Sequence, residues 1–166
     1  EDVPFNLTML TVDSHFPDGY RCELCEKTHD TDYKDAIACS SRQIAQLVAW
    51  IQQQDFYANT TVIVTGDHLS MSAEMEKELG GYSHRRVYNC FLNAAAAPVK
   101  TQERVFTAMD MFPTTLAALG IQIEGDRLGI GTNLFGTRQT LAEELGFETY
   151  EQEISRHSSF FDSLAY

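Results

Sequence analysis

Short apolar runs alternate with longer amphipathic segments along this chain. Runs rich in apolar and β-branched residues predict three strands: FNLTMLTV (5–12), TVIVTG (61–66) and RRVYNCFLN (85–93). The first run has no clean alternation of apolar and polar residues, which is typical of a strand covered on both faces of a sheet. The sequence therefore predicts strands that other elements bury.

Amphipathic spacing predicts the helices. Between the first two runs, Ile37, Ile44 and Val48 fall on one helical face, so residues 33–54 are predicted to form a long helix. The other predicted elements are a short helix at 73–81, a helix at 107–120, a Gly-rich loop at 125–136 and an acidic tail, helical or frayed, at 140–166.

The order strand, helix, strand predicts a βαβ unit, whose strands are parallel and joined by a right-handed crossover. Both strands then end at the same edge of the sheet, which is where open α/β folds bind ligands. Asp13 and His15 follow the first strand, and Asp67 and His68 follow the second. We therefore expect an α/β fold with a largely parallel sheet sandwiched by helices, and we expect these side chains to be neighbours.

Composition narrows the class of protein. With 166 residues, of which 43% are hydrophobic and 22% charged, the chain is long enough for one domain with a sizeable core. The formal net charge of -12 argues against a nucleic-acid surface, which needs clustered Lys and Arg. No apolar run reaches the roughly 18 residues of a membrane span, and no signal peptide is visible. Because the sequence begins EDVPF without Met, we interpret it as a piece of a longer protein, with any anchor or signal upstream.

The cysteines are Cys22, Cys25, Cys39 and Cys90. Cys22-x-x-Cys25 could open a zinc site, but a zinc ribbon needs a second close pair, which the other two cysteines do not make. A disulfide that orders the polar segment 22–39 is the better interpretation, with Cys25–Cys39 the preferred pair. Sequence alone cannot assign the pairing, and four reduced thiols remain the alternative. A disulfide would place the domain outside the cytoplasm.

Asp67 and His68 are the main candidate metal ligands. A carboxylate oxygen and a neutral imidazole nitrogen suit Mn²⁺ or Zn²⁺, and a tight turn after Gly66 would let both converge on one ion. The alternative, an Asp that caps a helix beside a surface His, is about equally compatible with so short a motif. Asp13 could be a third ligand, although an Asp that stabilises its own turn is the favoured interpretation.

Other polar side chains carry weaker signals. His15 could donate to a phosphate or a sugar hydroxyl, or it could merely satisfy backbone groups of its loop. His84, Arg85 and Arg86 could cover an anionic group near the metal, although a solvated basic patch is the favoured interpretation. The segment GIGTNLFG lacks the form of a phosphate-binding P-loop, and Gly-x-Ser-x-Gly is absent from the sequence.

Three longer segments together resemble a known family: LTMLTVDSHFPDGY, CSSRQIAQLVAWIQQQDFYANTTVIVTGDHLSM and AMDMFPTTLAALGI. They are similar to the C-terminal half of the sulfatase-like domain of phosphoglycerol transferases, within the alkaline phosphatase superfamily. That family includes lipoteichoic acid synthases and enzymes that transfer phosphoglycerol to periplasmic glucans, and TVDSHFPDGY looks closer to the glucan type. We expect residues 1–136 to be part of this catalytic domain and residues 137–166 to be an acidic helical extension.

The resemblance implies a site and a chemistry. In that family the Asp and His of GDH bind a catalytic Mn²⁺, which corresponds to Asp67 and His68, with Zn²⁺ or Mg²⁺ as alternatives. The His of the HFP loop contacts the phosphate or glycerol of the substrate, which corresponds to His15. The nucleophile is a Thr in the N-terminal half of the domain, so no Thr of this chain is assigned to that role. This piece alone is expected to hold half a metal site and to be inactive.

The resemblance also implies partners and a location. The full-length protein is expected to be an extracytoplasmic, membrane-anchored enzyme that moves phosphoglycerol from a lipid donor to a glucan or a teichoic acid-type polyglycerolphosphate acceptor. One alternative is a sulfatase or phosphoethanolamine transferase of the same superfamily, which the nucleophile would distinguish. Another alternative is a non-catalytic binding domain that kept the fold but lost metal binding.

Overall fold

The computed structural model describes residues 3–81, 86–100 and 103–164, and the chain divides into two units, Glu1–Cys90 and Phe91–Tyr166. In chain order the described elements are α1 (Asp32–Ile51), β1 (Val62–Thr65), α2 (Ala73–Glu78), β2 (Asn89–Leu92), α3 (Met111–Ala118), β3 (Arg127–Leu128), β4 (Gly131–Thr132), α4 (Leu141–Leu145), α5 (Phe147–Ile154) and α6 (Ser159–Ser163). Short 3₁₀ helices are described at Asp55–Asn59, Ala108–Asp110 and Glu124–Asp126.

Helix α1 confirms the helix predicted at 33–54, with ends shifted by a few residues. The hydroxyl of Thr31 accepts a hydrogen bond from the backbone N–H of Lys34 at 3.3 Å, which satisfies one of the free donors at the helix start. The residues buried most completely on α1 lie in its first half, where Ala36 and Cys39 are 0% and 2% exposed. The predicted apolar face, which extends to Ile51, is only half-buried.

The strand predicted at residues 5–12 is wrong. The structure describes this segment without regular secondary structure, and Phe5, Leu7 and Leu10 are 65%, 82% and 74% exposed. A strand exists only through hydrogen bonds to a neighbouring strand, and β1 pairs with β2 rather than with this segment. Residues 5–12 therefore have the composition of a buried strand but not the partner that makes one.

The predicted βαβ unit and the parallel sheet sandwiched by helices are corrected for the same reason. Within the described residues the sheets are two-stranded, one made of β1 and β2 and the other of β3 and β4. The second pair is antiparallel, with Arg127 opposite Thr132 and Leu128 opposite Gly131. The Gly-rich segment predicted as a loop thus contains a short hairpin.

The second unit has a small apolar core built around α3. Ala117, Ala118 and Phe135 are buried there, and Phe91 packs against them. The rings of Phe91 and Phe135 meet edge to face, with centroids 5.6 Å apart and an angle of 81° between their planes. Small alanine side chains on α3 let the aromatic rings approach the helix closely.

Asp110 organises the polar interior of the second unit. Its carboxylate accepts hydrogen bonds from the backbone N–H of Thr107 at 2.9 Å and from that of Thr132 at 2.7 Å, and the residue is 3% exposed. The first contact caps the 3₁₀ turn that leads into α3, so Asp110 fixes the entry of the helix predicted at 107–120. At Gly131 a side chain would overlap the carbonyl of Met109, so only glycine fits there.

The acidic tail folds into α4, α5 and α6. Arg104 and Glu143 form an ion pair whose side chains are 8% and 13% exposed, with Nε 2.8 Å from Oε1. Tyr150 of α5 is 2% exposed, and its hydroxyl lies 3.2 Å from that of Thr107. The domain boundary at residue 136 stays a prediction. Among the described helices, none combines the length and the apolar character that a membrane crossing requires.

Candidate functional site

Gly66 carries the chain from β1 into the Asp67-His68 pair. Its N–H donates to the carbonyl of Tyr88 at 2.9 Å, so the chain is still held beside its neighbour at this point. A Cβ at position 66 would lie 3.0 Å from Cγ1 of Val87, which is too close for an unstrained contact. Glycine therefore permits the close approach of position 66 to Val87, and the chain turns directly after this hydrogen bond.

Asp67 and His68 converge within that turn. Oδ1 of Asp67 accepts a hydrogen bond from the backbone N–H of His68 at 2.9 Å, and Oδ2 lies 3.5 Å from Nε2 of His68. Nδ1 of His68 lies 2.7 Å from the carbonyl oxygen of Leu69. A carbonyl only accepts, so Nδ1 donates in this contact, and in a neutral ring the lone pair then lies on Nε2. The side chains of Asp67 and His68 are 69% and 55% exposed, so solvent ions reach them.

This donor set fits a divalent ion in both chemistry and spacing. Two ligands that each lie about 2.0–2.2 Å from one ion are roughly 3–3.5 Å apart, and Nε2 of His68 is 3.5 Å from Oδ2 of Asp67. Within the part of the chain that the structure describes, no third His, Cys, Asp or Glu joins the pair in a cluster of ligand spacing. The described residues thus offer two candidate ligands, which is half of the number in a typical site.

Asp13 is not placed beside this pair. It belongs to a tight loop, in which its carbonyl accepts a hydrogen bond from the backbone N–H of Tyr20 at 2.7 Å. This contact is made by the backbone of Asp13, so a turn role for its carboxylate stays a prediction.

His68 also lines a cavity of about 380 Å³, together with Leu69, Leu79, Arg86 and Tyr88 among others. Arg86 is exposed, as a solvated basic residue would be, and it contributes to the lining of this cavity. A guanidinium is a planar donor that suits phosphate oxygens. The other members of the predicted basic cluster, His84 and Arg85, lie outside the described residues. An imidazole and a guanidinium on one cavity, with the carboxylate of Asp67 next to that imidazole, suit a phosphorylated ligand.

His15 lies in a loop that its own backbone closes. Its N–H donates to the carbonyl of Val12 at 3.0 Å, and its carbonyl accepts from Gly19 at 3.0 Å. The ring is exposed, with Nδ1 facing the carbonyl of Phe16. His15 is not among the residues that line the cavity of His68. The sequence expected the two histidines to meet at one sheet edge, and the first of the two strands that would bring them there is not formed.

Asp35 is a site residue that the sequence analysis missed. It is 1% exposed, and Oδ1 accepts hydrogen bonds from the backbone N–H groups of Thr28 at 2.9 Å and His29 at 2.8 Å. The hydrogen bond from Thr28 above all, and those from His29 with the charge of Arg21, lower the pKa of Asp35 to about 2. An acidic residue in the first turn of a helix is ordinarily exposed. The sequence therefore carries no clear signal that Asp35 would be buried and would bind the loop that precedes α1.

The loop that Asp35 holds also carries Cys22 and Cys25, and Cys39 lies on α1. The structure joins Cys25 to Cys39 in a disulfide with the Cα atoms 5.2 Å apart. Cys22 and Cys90 are free thiols. The disulfide and Asp35 thus fasten the same loop to α1 at two points.

Comparison with known proteins identifies the class. The protein-family model described as Sulfatase matches residues 1–121. Because this is well over half of the sequence, the chain belongs to the sulfatase family, which implies the alkaline-phosphatase-like α/β fold. No solved structure gives a significant match.

The curated relatives indicate a narrower class of protein than the family model does. Those named here are all called phosphoglycerol transferase I. The relative from Xanthomonas axonopodis pv. citri (strain 306) is 32% identical over 122 residues, which cover 70% of this chain and 17% of the relative. Those from Salmonella choleraesuis (strain SC-B67) and Escherichia fergusonii (strain ATCC 35469) are 31% and 32% identical over 84% and 76% of this chain, and 18% and 17% of the relatives. These matches confirm the resemblance, and the chain spans less than a fifth of these relatives' length.

Proposed function

We propose that this chain is the C-terminal part of the catalytic domain of a metal-dependent phosphoglycerol transferase. The observation that carries the proposal is the geometry of Asp67 and His68, whose free ligand atoms lie 3.5 Å apart directly after β1. Membership of the sulfatase family and the relatives named phosphoglycerol transferase I support it. The substrate would be a phosphoglycerol group, and the reaction its transfer to an acceptor hydroxyl.

Asp67 and His68 would hold the divalent ion, Mn²⁺ by preference and Zn²⁺ or Mg²⁺ as alternatives. When bound, such an ion polarises phosphoryl oxygens and stabilises the charge that develops on them. The carbonyl of Leu69 fixes the imidazole so that Nε2 faces outward as a ligand. Arg86, on the same cavity, would neutralise a phosphoryl oxygen with its guanidinium.

His15 would contact the phosphate or glycerol group of the substrate. Its exposed ring is free to do so, and the assignment rests on the HFP motif that the chain shares with the family. In the described structure the loop of His15 does not line the cavity of His68. The role of His15 therefore requires that the longer protein bring this loop to the cavity.

The nucleophile would be a Thr in the part of the relatives that this chain does not match. The threonine nearest the pair, Thr65, donates its hydroxyl to Oδ1 of Asn89 at 2.6 Å and is thus engaged in the sheet. Thr8 lies in the exposed segment 5–12 and donates to Asn6. With two metal ligands and no assigned nucleophile, the chain alone is expected to bind an ion but not to catalyse transfer.

The proposed donor is a phosphoglycerol-bearing lipid, and the proposed acceptor is a glucan or a teichoic acid-type polyglycerolphosphate. A lipid donor requires a membrane surface, so the full-length protein is proposed to be anchored on the outer side of the cytoplasmic membrane. The disulfide between Cys25 and Cys39 supports an oxidising, extracytoplasmic compartment.

The second candidate is another reaction of the same superfamily, sulfate ester hydrolysis or phosphoethanolamine transfer. The description of the matching family model favours the first of these. Both reactions would use the same two metal ligands, Asp67 and His68. They differ from the proposed function in the substrate that the cavity binds.

The test is a calorimetric titration of Mn²⁺ into the chain and into Asp67→Ala and His68→Ala. We expect each substitution to weaken binding by at least about tenfold, because each removes one of the two described ligands. The matched control is His157→Ala, since His157 and Asp162 form another exposed pair, with Nε2 2.6 Å from Oδ2. Mn²⁺ binding that survives in both variants would remove Asp67 and His68 from the proposed site.

A second titration separates the two candidate reactions. At saturating Mn²⁺, glycerol phosphate is expected to bind more tightly than sulfate, and Arg86→Ala is expected to weaken glycerol phosphate without changing Mn²⁺ affinity. Tighter binding of sulfate would favour the sulfatase alternative.

A further inference from the structure

Three sulfur atoms lie together where the loop 21–31 meets helix α1. The Sγ atoms of Cys22, Cys25 and Cys39 are all within 4.8 Å of one another, and two of them form the Cys25–Cys39 disulfide. Cys22 keeps its thiol, and its Sγ is 3.6 Å from that of Cys25. A free thiol in contact with a disulfide can exchange with it once the attacking sulfur lies in line with the bond that breaks. Because all three sulfurs lie so close together, the Cys22 side chain must first rotate to reach that line.

The backbone places Cys22 at this distance. The N–H of Cys25 donates to the carbonyl of Cys22 at 3.0 Å, which closes a tight turn over Glu23 and Leu24. Such a turn keeps the Cα atoms of its first and last residues within about 7 Å, close to the range of roughly 4.4–6.8 Å that disulfides span. A Cys22–Cys25 disulfide therefore needs the two sulfurs to close up and does not need the turn to refold.

Polar donors surround the sulfur that would leave. Nε2 of Gln43 is 3.4 Å from Sγ of Cys39 and 3.8 Å from Sγ of Cys22, so one amide faces both ends of the exchange. Nη2 of Arg42 is 3.8 Å from Sγ of Cys39 and donates to the carbonyl of Leu24 at 2.7 Å. A positive charge beside sulfur favours the thiolate. These groups therefore stabilise the negative charge that develops on Cys39 when its bond breaks.

We propose that Cys22, Cys25 and Cys39 form a thiol–disulfide exchange centre. The thiol of Cys22 first loses its proton to solvent. The resulting thiolate bonds to Sγ of Cys25, the Cys25–Cys39 bond breaks, and the electron pair of that bond leaves on Cys39, which takes up a proton. One disulfide and one thiol are present before and after the step, so it needs neither an oxidant nor a reductant.

The two disulfide isomers tie different parts of the chain together. The Cys25–Cys39 disulfide fastens the loop to α1 across a separation of 14 residues, whereas a Cys22–Cys25 disulfide closes only its own turn. After exchange the loop is held on the helix by noncovalent contacts, among them the hydrogen bonds of Asp35 from Thr28 and His29 and that of Arg42 to the carbonyl of Leu24. The exchange thus changes how firmly the loop is attached without changing the redox state of the protein.

The test identifies which cysteine of the exchange centre carries the free thiol. It uses the whole chain with Cys90→Ser, which removes the free thiol outside the centre. Protein purified without reductant is held at about pH 8.5, near the ordinary pKa of a thiol, then quenched with acid and alkylated with N-ethylmaleimide. Trypsin cleaves after Arg21, Lys27, Lys34 and Arg42, which puts Cys22 and Cys25 on peptide 22–27 and Cys39 on peptide 35–42.

Mass spectrometry then distinguishes the isomers directly. The starting isomer gives the two peptides cross-linked, with Cys22 alkylated. The exchanged isomer gives peptide 22–27 with an internal disulfide and peptide 35–42 alkylated at Cys39. We expect both isomers, with a conversion rate that rises about tenfold per pH unit while the attacking thiol is mostly protonated. Gln43→Ala is expected to slow the conversion several-fold, and the neighbouring, exposed Ser41→Ala is the matched control.

Two cysteine variants make the outcome decisive. Cys22→Ser must give the cross-linked peptides alone, and Cys39→Ser must form the internal disulfide of peptide 22–27 on oxidation in air. The proposal is overturned if the parent gives only cross-linked peptides at every pH, if all three cysteines are alkylated, or if Cys39→Ser leaves Cys22 and Cys25 reduced. Equal alkylation of Cys39 in the parent and in Cys22→Ser overturns it as well.

Discussion

In the unit Phe91–Tyr166 the polar side chains that organise the interior, such as Asp110 and Thr114, are buried and hydrogen-bonded. In the unit Glu1–Cys90 the Asp67-His68 pair is exposed to solvent. Thr114 of the second unit is 1% exposed, donates to the carbonyl of Asp110 at 2.6 Å and accepts from the N–H of Leu134 at 3.0 Å. Asp67 and His68 of the first unit bond mainly to their own backbone and keep ligand atoms free toward solvent.

The difference separates polar groups that specify a structure from polar groups that are available for chemistry. A buried polar group costs free energy unless it is hydrogen-bonded, so the network around Asp110 can have only one arrangement. An exposed pair contributes little to folding, and its preorganisation by Gly66 and Leu69 is the kind of geometry that a ligand uses. Asp35 is the exception in the first unit, because it is buried and its Oδ1 accepts hydrogen bonds from Thr28 and His29, whereas its buried Oδ2 has no hydrogen-bond partner.

The largest predicted effect is in the second unit. Arg104→Ala should lower the free energy of unfolding by about 3–5 kcal/mol, because it leaves Glu143 buried without its partner. It also removes the hydrogen bond from Nη2 of Arg104 to the carbonyl of Arg138 at 2.8 Å. Urea denaturation followed by far-UV circular dichroism measures the change.

The matched control is Arg156→Ala, which removes an ion pair with Glu153 whose arginine side chain is 73% exposed. An exposed pair of this kind contributes about 0–1 kcal/mol. If the two variants lost equal stability, the contrast between buried and exposed polar groups would not hold.

The second prediction concerns pH and the first unit. The pKa of Asp35 is lowered from 3.8 to about 2 in the folded chain. Its carboxylate therefore stabilises the fold fully above about pH 4, and this contribution is lost as the pH falls toward about 2. Asp35→Asn should lower stability near neutral pH and flatten the decline in stability between these two pH values.

Trp50 is the readout for this prediction, since it is the single tryptophan of the sequence and lies in α1. The urea midpoint from its fluorescence is compared with that of the parent at each pH. Asp32→Asn serves as control, because the Asp32 side chain is 65% exposed and pairs with Arg21 at the surface. An acid profile of Asp35→Asn identical to that of the parent would show that Asp35 does not carry this stabilisation.

The smallest predicted effect tests the segment 5–12. Leu7 is 82% exposed, so Leu7→Lys should change the free energy of unfolding by less than about 0.5 kcal/mol. Phe135→Ala, at a side chain 9% exposed, is the contrasting variant and should cost about 3–5 kcal/mol. A loss of more than about 2 kcal/mol in Leu7→Lys would mean that Leu7 is buried, as the sequence pattern indicated.

The sequence predicted the elements whose stability is local. The helices predicted at 33–54 and 107–120 rest on signals read within a few residues, and the structure has both of them as α1 and α3. The turn that joins Asp67 to His68 belongs to the same group, because Gly66 and the backbone of Leu69 are enough to set it.

The contacts between distant segments could not be predicted in this way. The pattern of residues 5–12 is typical of a buried strand, but a strand needs a neighbour to accept its hydrogen bonds, and the described structure supplies none. The matched region is less than a fifth of the curated relatives' length.

The sequence by itself thus determined the family, the long helix, and the presence of an adjacent carboxylate and imidazole at the end of a strand. Tertiary structure alone decided which groups are buried and which meet across the chain. It buried Asp35 under the cysteine loop, paired Arg104 with Glu143, and brought Cys22 within 3.6 Å of Cys25. The physical reason is that side-chain type and spacing fix local geometry, whereas burial and long-range pairing depend on what the rest of the chain places alongside.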